Sequence, residues 1–354
     1  MKLMVNNVYT VESVLAGHPD KVCDQLCDTI LDSFIEVDKN ANVTVECLGT
    51  GNTLFLGGEV ASNIDIDIIP SVLKKYHDIG YTENLEIINK IHRESSQTNS
   101  PIKNGEAGDQ GVMYGYACEE VNYNYLPTGV VLVNRIAKEI DRLKKYNKNL
   151  LPDGKVQLTI NEDRKIDTLV ICVQHKPEIS IAKLQADIMR HLKIVIPEIG
   201  YARKTYFNYH SRFYQGGFSI DAGLSGRKIV ADTYGGLIPN GGGSFSGKDP
   251  YRLDRSGAYM ARFIAKNLVA NGFCKECLVS LAYVFGNPHP VMINVKSDQE
   301  ALDQKLLNFV KTNFDLRPPA IVERLNLYNF HYTQTATYGH FCNSKYPWEQ
   351  IIKL

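Results

Sequence analysis

Three consecutive glycines, Gly241, Gly242 and Gly243, with a fourth at Gly247, lead into Lys248, Asp249, Arg252 and Asp254. Glycine lacks the Cβ that keeps a ligand off the backbone, so successive amide N–H groups in such a stretch can converge on an anion. Lys248 and Arg252 add full positive charges, and Asp254 stands where a magnesium ion bridging phosphate oxygens needs a carboxylate. Ala258, Ala261, Ile264, Ala265 and Leu268 then recur at three- and four-residue spacing up to Gly272. That spacing predicts a helix over 256–269 whose positive end faces the loop. The chemistry that fits is a polyphosphate cradle; a Gly-rich surface turn before an ordinary helix is the plain alternative. Gly242 to Lys248 nearly imitates a Walker loop, but Asp249 replaces the magnesium-binding Ser or Thr.

A second cluster stands near the N-terminus. His18, Pro19, Asp20 and Lys21 precede a stripe of Val22, Leu26, Ile30 and Phe34, which predicts a helix over 21–37 with an acid, a carboxylate and a cation at its start. An ordinary helix start is the alternative. Glu46 and Glu59 lie in strand-like stretches (43–48 and 53–60); each is either a ligand or a solvated outward side chain. Asp109, flanked by Gly108 and Gly111 after a polar loop, reads as a lid carboxylate or a plain turn. Arg227 and Lys228 follow Asp221 and four further glycines after Phe213, and could meet the same polyphosphate or stay solvated.

The elements that would position these groups recur. Helix, strand, strand, helix is read at 21–37, 43–48, 54–60 and 70–76, with 85–92 left open. It is read again from a helix starting after Thr128, through strands at 155–160 and 168–174, to a helix at 180–192. The third round comprises the helix at 256–269, strands at 278–285 and 291–295, and a last helix opened by a capping box from Ser297 to Glu300. The fold class expected is α/β, three related units of sheet backed by helices.

A chain of 354 residues can hold two or three domains, and 39 basic against 39 acidic residues give no field that invites nucleic acid or an anionic membrane. No apolar run approaches the roughly 18 residues of a membrane span, and no signal-peptide core opens the chain, so it reads as cytoplasmic. Eight scattered cysteines read as reduced thiols, and Cys274 with Cys277 as a structural pair without zinc partners.

Taken together and in order, GHPDK (17–21), EAGDQG (106–111), DAGLSGRK (221–228), DTYGG (232–236) and GGGSFSGKD (241–249) resemble S-adenosylmethionine synthetases, from about Thr10 to Trp348. The resemblance implies that methionine sulfur attacks C5′ of ATP and displaces the triphosphate, which is then cleaved to pyrophosphate and phosphate. A thioether carries no proton, so no general base is needed; the difficulty is the leaving group. Removing one preorganised contact to such developing charge typically costs on the order of 10²-fold in rate.

By the same resemblance His18 sits at the leaving O5′, and Lys155, Arg227, Lys228 and Lys248 hold the triphosphate. Asp20 and Asp254 are the carboxylates for two magnesium ions, and Glu46 is the potassium-site carboxylate. Glu59, Gln97 and Asp221 match methionine positions, Asp109 the ribose, and Phe213 the adenine by stacking; Arg252 falls where triphosphate and methionine meet. The family implies three similar units around a pseudo-threefold axis, here 1–108 (ending in a gating loop at about 98–106), 109–215 and 216–354. It also implies a homodimer with sites at the subunit interface, often paired into a tetramer.

The chain departs from the family pattern in places. Arg252 replaces the usual lysine, Glu106 a glycine and Ser244 an alanine. The common NPTGRF is Asn208 to Phe213 without its Pro-Thr-Gly, Phe218 to Ile220 differ before Asp221, and the gating loop is about ten residues short. Altered tolerance for nucleotide or methionine analogues is the expectation. Two other classes stay in view: a kinase or NTPase releasing ADP, and a nucleotide-binding subunit without catalysis.

Overall fold

Each helix-strand-strand-helix round proves to be preceded by one more strand. The computed structural model describes residues 8–94, 105–209 and 212–354. The first round is β1 (Tyr9–Val14), α1 (Pro19–Val37), β2 (Asn42–Thr50), β3 (Thr53–Ala61), α2 (Ile69–Ile79), β4 (Glu86–Asn89) and β5 (His92–Glu94). The second is β6 (Gly111–Cys118), α3 (Thr128–Leu143), β7 (Leu150–Ile160), β8 (Ile166–His175), α4 (Ile181–Val195) and β9 (Lys204–Phe207). The third is β10 (Gly223–Leu224), α5 (Ile229–Thr233), α6 (Leu253–Ala270), β11 (Glu276–Tyr283), β12 (Met292–Ser297), α7 (Glu300–Asn313) and α8 (Pro318–Arg324).

The leading strand of each round leaves its own hairpin and joins another. The sheets run β1-β7-β8-β9, β10-β2-β3-β4 (with β5 also on β3) and β6-β11-β12. In all three the incoming strand lies antiparallel to the first strand of the hairpin: β1 on β7, β10 on β2, β6 on β11. Round one thus lends a strand to round two, two to three, and three to one. The architecture is mixed α/β, three sheets backed by helices, as expected from pattern order.

This exchange brings the two glycine- and charge-bearing regions together. The free edge of β2 is covered by β10 at one end and, further back, by the glycine loop, where Thr44 faces Lys248 in an isolated antiparallel bridge. Val45 N–H donates to Gly247 O at 3.0 Å and Asp249 N–H to Val43 O at 3.0 Å. The long helices α1 and α6 then share one apolar core with β2, β3, β6 and β11, while α3 and α4 close a second over β7 and β8. In α6 every residue except Asp254 and Ala270 is buried, so the stripe seen in the sequence is only part of an all-round core helix.

Two readings of the sequence are corrected. Ser297 and Glu300 form no capping box: Gln299 is the N-cap of α7, and the Ser297 N–H and hydroxyl both bond Asp303 Oδ1, at 2.8 and 2.7 Å. Nor is α7 the last helix, since the seven-residue α8 follows it. The open stretch at 85–92 holds β4 and the start of β5, parallel to β3. Both are too short for either period to show.

Candidate active site

His18 is the N-cap of α1, its Nδ1 accepting the Asp20 N–H at 3.2 Å, with Pro19 at the first helical position. Burial and the Lys228 ammonium push the imidazole down to about 4, against the opposing Asp20 and Asp221 charges, so at neutral pH it is an uncharged acceptor. Asp20 is almost wholly buried; its Oδ1 accepts the Leu224 N–H at 3.0 Å and its Oδ2 the Lys228 ammonium at 2.5 Å. Burial pushes this carboxyl up, but the bonds from Lys228 and Leu224 and the Lys228 charge outweigh it and hold it below the ordinary value. Arg227 approaches the same carboxylate at 3.6 Å. Lys155, on β7 beside Val14 of β1, pairs with Glu12 at 2.7 Å and adds to the field at His18. The structure therefore gathers His18, Asp20, Lys155, Asp221, Arg227 and Lys228 at one end of α1.

Lys248, Arg252 and Asp254 form a second cluster. The Lys248 ammonium bonds Asp254 Oδ2 in the first turn of α6. Arg252, the N-cap of α6, donates from Nη2 to Glu59 Oε1 at 2.5 Å and from Nη1 to Gly108 O at 3.3 Å. Glu59 is thus neither solvated alone nor buried: it is half of an ion pair. Asp109, next to Gly108, uses Oδ1 to accept the Gln110 N–H at 2.7 Å. A Cβ on Gly243 would stand 2.4 Å from Asp254 Cγ, so only a glycine lets the loop lie this close to the carboxylate.

The clusters are not joined by any hydrogen bond or ion pair given among the described residues. What separates them is a ladder along α1: Asp20, Asp24, Asp28 and Asp32, each four residues on, accept the N–H groups of Leu224, Gly226, Gly247 and Tyr332 at 3.0, 2.8, 2.9 and 2.6 Å. Asp20 to Asp28 is two turns, about 12 Å along the axis. One helix face thereby spaces both cationic loops of the third round.

Three domain profiles cover the chain: S-adenosylmethionine synthetase N-terminal domain at 6–101, central domain at 104–213 and C-terminal domain at 215–350. S-adenosylmethionine synthase of Petrotoga mobilis is 39% identical over 99% of this chain and 98% of its own length. The enzyme of that name from Staphylococcus epidermidis is 38% identical over 98% and 96%. The chain belongs to the S-adenosylmethionine synthetase family.

For an S-adenosylmethionine synthetase the remaining positions read as follows. Glu46 points outward from β2, exposed, on the face that also carries Leu48. Phe213 is half-buried, its carbonyl accepting the His175 N–H at 2.9 Å, and Asp221 is exposed and caps the Ala222 N–H at 2.8 Å. Gln97 and most of the gating loop lie outside the described residues, as do His210 and Ser211. Lys155, Arg227 and Lys228 do not meet Lys248 within one chain, although the resemblance places all four on one triphosphate.

No group of three His, Cys, Asp or Glu side chains is assembled among the described residues. Magnesium needs no such cage, since it is commonly held by one or two carboxylates plus phosphate oxygens and water. Asp20 and Asp254 fit, each a single carboxylate beside a lysine, and Gly243, lacking a Cβ, lets the loop backbone lie directly against the Asp254 carboxylate. Potassium would find one carboxylate here, Glu46. Cys274 and Cys277 are buried free thiols, in keeping with a structural pair. No helix among the described residues is long and apolar enough to cross a membrane.

Sequence reasoning passed over Asp24, Asp28, Asp32 and Arg255, and noticed Asp249 only as a departure from a Walker loop. Asp249 is fully buried, its two oxygens accepting the N–H groups of Val43 and Tyr251 at 2.8 Å each. The four-residue repeat of aspartates in 20–32 was the available signal, hidden because the same turns carry the apolar stripe.

Proposed function

We propose that this chain makes S-adenosylmethionine from ATP and L-methionine by sulfur attack on C5′, with the whole triphosphate as leaving group. The observation that carries it is the buried, neutral His18 at the end of α1 beside the paired Asp20 and Lys228, with the glycine loop holding Lys248 two helical turns away. Lys155, Arg227, Lys228 and Lys248 then neutralise the triphosphate as the C5′–O bond breaks, the uncharged His18, whose Nδ1 accepts the Asp20 N–H, donates its Nε2–H to the leaving oxygen, and no residue has to take a proton from the thioether. Glu59 and Asp221 orient methionine, Asp109 meets the ribose, and Phe213 stacks on adenine. Asp20 and Asp254 would hold magnesium, which would supply charge neutralisation of the phosphate oxygens, and Lys228 and Lys248, which bond these carboxylates, would face the same anion.

The complete site is read as a homodimer's. Leu224, Leu48, Phe55 and Ile88 form one row straight across the sheet of β10, β2, β3 and β4, and all four are exposed. An apolar row on an open sheet face is a surface for another copy. In this reading a second copy on that row completes the site, and Glu46, exposed on the same face, would supply potassium's carboxylate. A tetramer of two such dimers follows the same reading.

A Walker-type NTPase is disfavoured by Asp249: both its oxygens are spent on backbone N–H groups, and it is buried where a metal-binding hydroxyl would have to be open. Turnover with ATP, methionine, magnesium and potassium, followed by phosphorus NMR and mass spectrometry, tests the proposal. Equal pyrophosphate and phosphate with S-adenosylmethionine support it; ADP without a methionine requirement contradicts it.

A further inference from the structure

Asp28 of α1 and Arg255 of α6 are fully buried and face each other, Arg255 Nη2 lying 2.8 Å from both carboxylate oxygens. Neither group can touch a substrate. Both nevertheless reach the backbone on either side of the Gly247-Lys248 pair. Asp28 Oδ1 accepts the Gly247 N–H at 2.9 Å, and Arg255 Nη1 donates to Lys248 O at 2.9 Å. The opposite side of the loop is stitched to β2 by Val45 N–H on Gly247 O and by Asp249 on Val43. Gly247 has φ +81°, and a Cβ there would come within 2.1 Å of Val45 O and 3.0 Å of Cys27 Cβ, so the loop is wedged between helix and strand.

From this geometry we infer that Asp28 and Arg255 are positioning residues for Lys248, clamping the two peptide units that bracket the Gly247-Lys248 pair, the one entering Gly247 and the one leaving Lys248, so that its ammonium is delivered to the triphosphate at a fixed place. Two planar forks suit this task. A guanidinium can span a carboxylate and a carbonyl together, which a lysine ammonium on a flexible stem does less well. Arg255 also lies over the Tyr332 ring, 4.6 Å from its centroid, so its plane is fixed from a third side. The pair is therefore held as rigidly as the core around it, and Lys248 inherits that rigidity through its own backbone. The inference rests on the reading of Lys248 as a triphosphate ligand.

The test compares Arg255→Lys with wild type in tripolyphosphate binding by calorimetry and in the KM values for ATP and methionine. Arg255→Lys keeps the charge on Asp28 and gives up the fork. At least a tenfold weaker tripolyphosphate affinity and a raised KM for ATP are expected, with the KM for methionine within twofold and a cooperative melt retained. Unchanged tripolyphosphate affinity, or equal losses for both substrates, overturns the inference. Should Arg255→Lys fail to fold, Asp28→Asn, which keeps an oxygen for the Gly247 N–H, is read by the same criteria. Lys248→Ala separates the two layers. If it leaves tripolyphosphate binding intact, the triphosphate reading itself fails; if it weakens binding while Arg255→Lys does not, only the clamp fails.

Discussion

Lys228 Nζ lies 2.5 Å from Asp20 Oδ2, tying the first turn of α1 to a loop 208 residues further along the chain. This bond orders the cationic loop, and it leaves the Asp20 carboxylate below its ordinary pKa beside a neutral imidazole. Asp20→Asn keeps an oxygen for the Leu224 N–H while removing the charge. The expected result is a kcat lower by on the order of 10²-fold with the melting transition retained, checked by initial rates and calorimetry at saturating magnesium.

His18 titrates low. Its folded value of about 4 lies below the unfolded value of 6.5, so between them the folded state binds fewer protons. Its contribution to stability is full above pH 6.5 and is lost as the pH falls toward 4, a change on the order of 3 kcal/mol. The imidazole resonance of the free protein should titrate near 4, and tripolyphosphate should raise that midpoint because an anion favours the imidazolium. A free-protein midpoint near 6.5 contradicts the burial of His18 beside Lys228.

Gly243→Ala sets a Cβ 2.4 Å from the Asp254 carboxylate carbon, so the carboxylate must shift away from the loop. No left-handed backbone is required at Gly243, so the effect comes from that displacement, which also strains the Asp254 bond to Lys248. The magnesium concentration for half-maximal activity should rise several-fold, read from activity against free magnesium.

Arg252→Lys restores the residue usual in the family and removes the fork that reaches Glu59 and Gly108 together. Glu59 is more than half exposed, so the pair contributes less than about 1 kcal/mol to stability. The effect falls on methionine: its KM should rise and discrimination between methionine and its analogues should change, measured by competition kinetics.

Phe55→Lys places a charge in the middle of the exposed row on β2 and β3. Sedimentation should show monomers, and activity should fall with the loss of dimer because in the proposed assembly each site draws on two chains. A monomer that keeps full activity would contradict the shared site.

Much of the architecture could be read from the sequence. The apolar stripes of α1 and α6 and the hairpins between helices gave the order of elements. His18, Asp20 and Lys248 were found at helix starts and in a glycine loop, where local chemistry marks them. The exchange of β1, β6 and β10 between sheets was not legible from periodicity, because pairing partners lie far apart in the chain. Nor was the clamp on Lys248: Asp28 and Arg255 are charges inside apolar turns, and only packing α1 against α6 shows why a buried charge is tolerated in each. Glu59 needed the structure for a similar reason, since its partner Arg252 is 193 residues away.

The most direct measurement uses ATP carrying ¹⁸O in the bridge between C5′ and the α-phosphorus, turned over with methionine and followed by mass spectrometry of all products. Attack at C5′ predicts that the label leaves with phosphate or pyrophosphate and that the nucleoside product carries none. Label retained on an adenosine-containing product would mean that a P–O bond was broken instead, and would contradict adenosyl transfer by this chain.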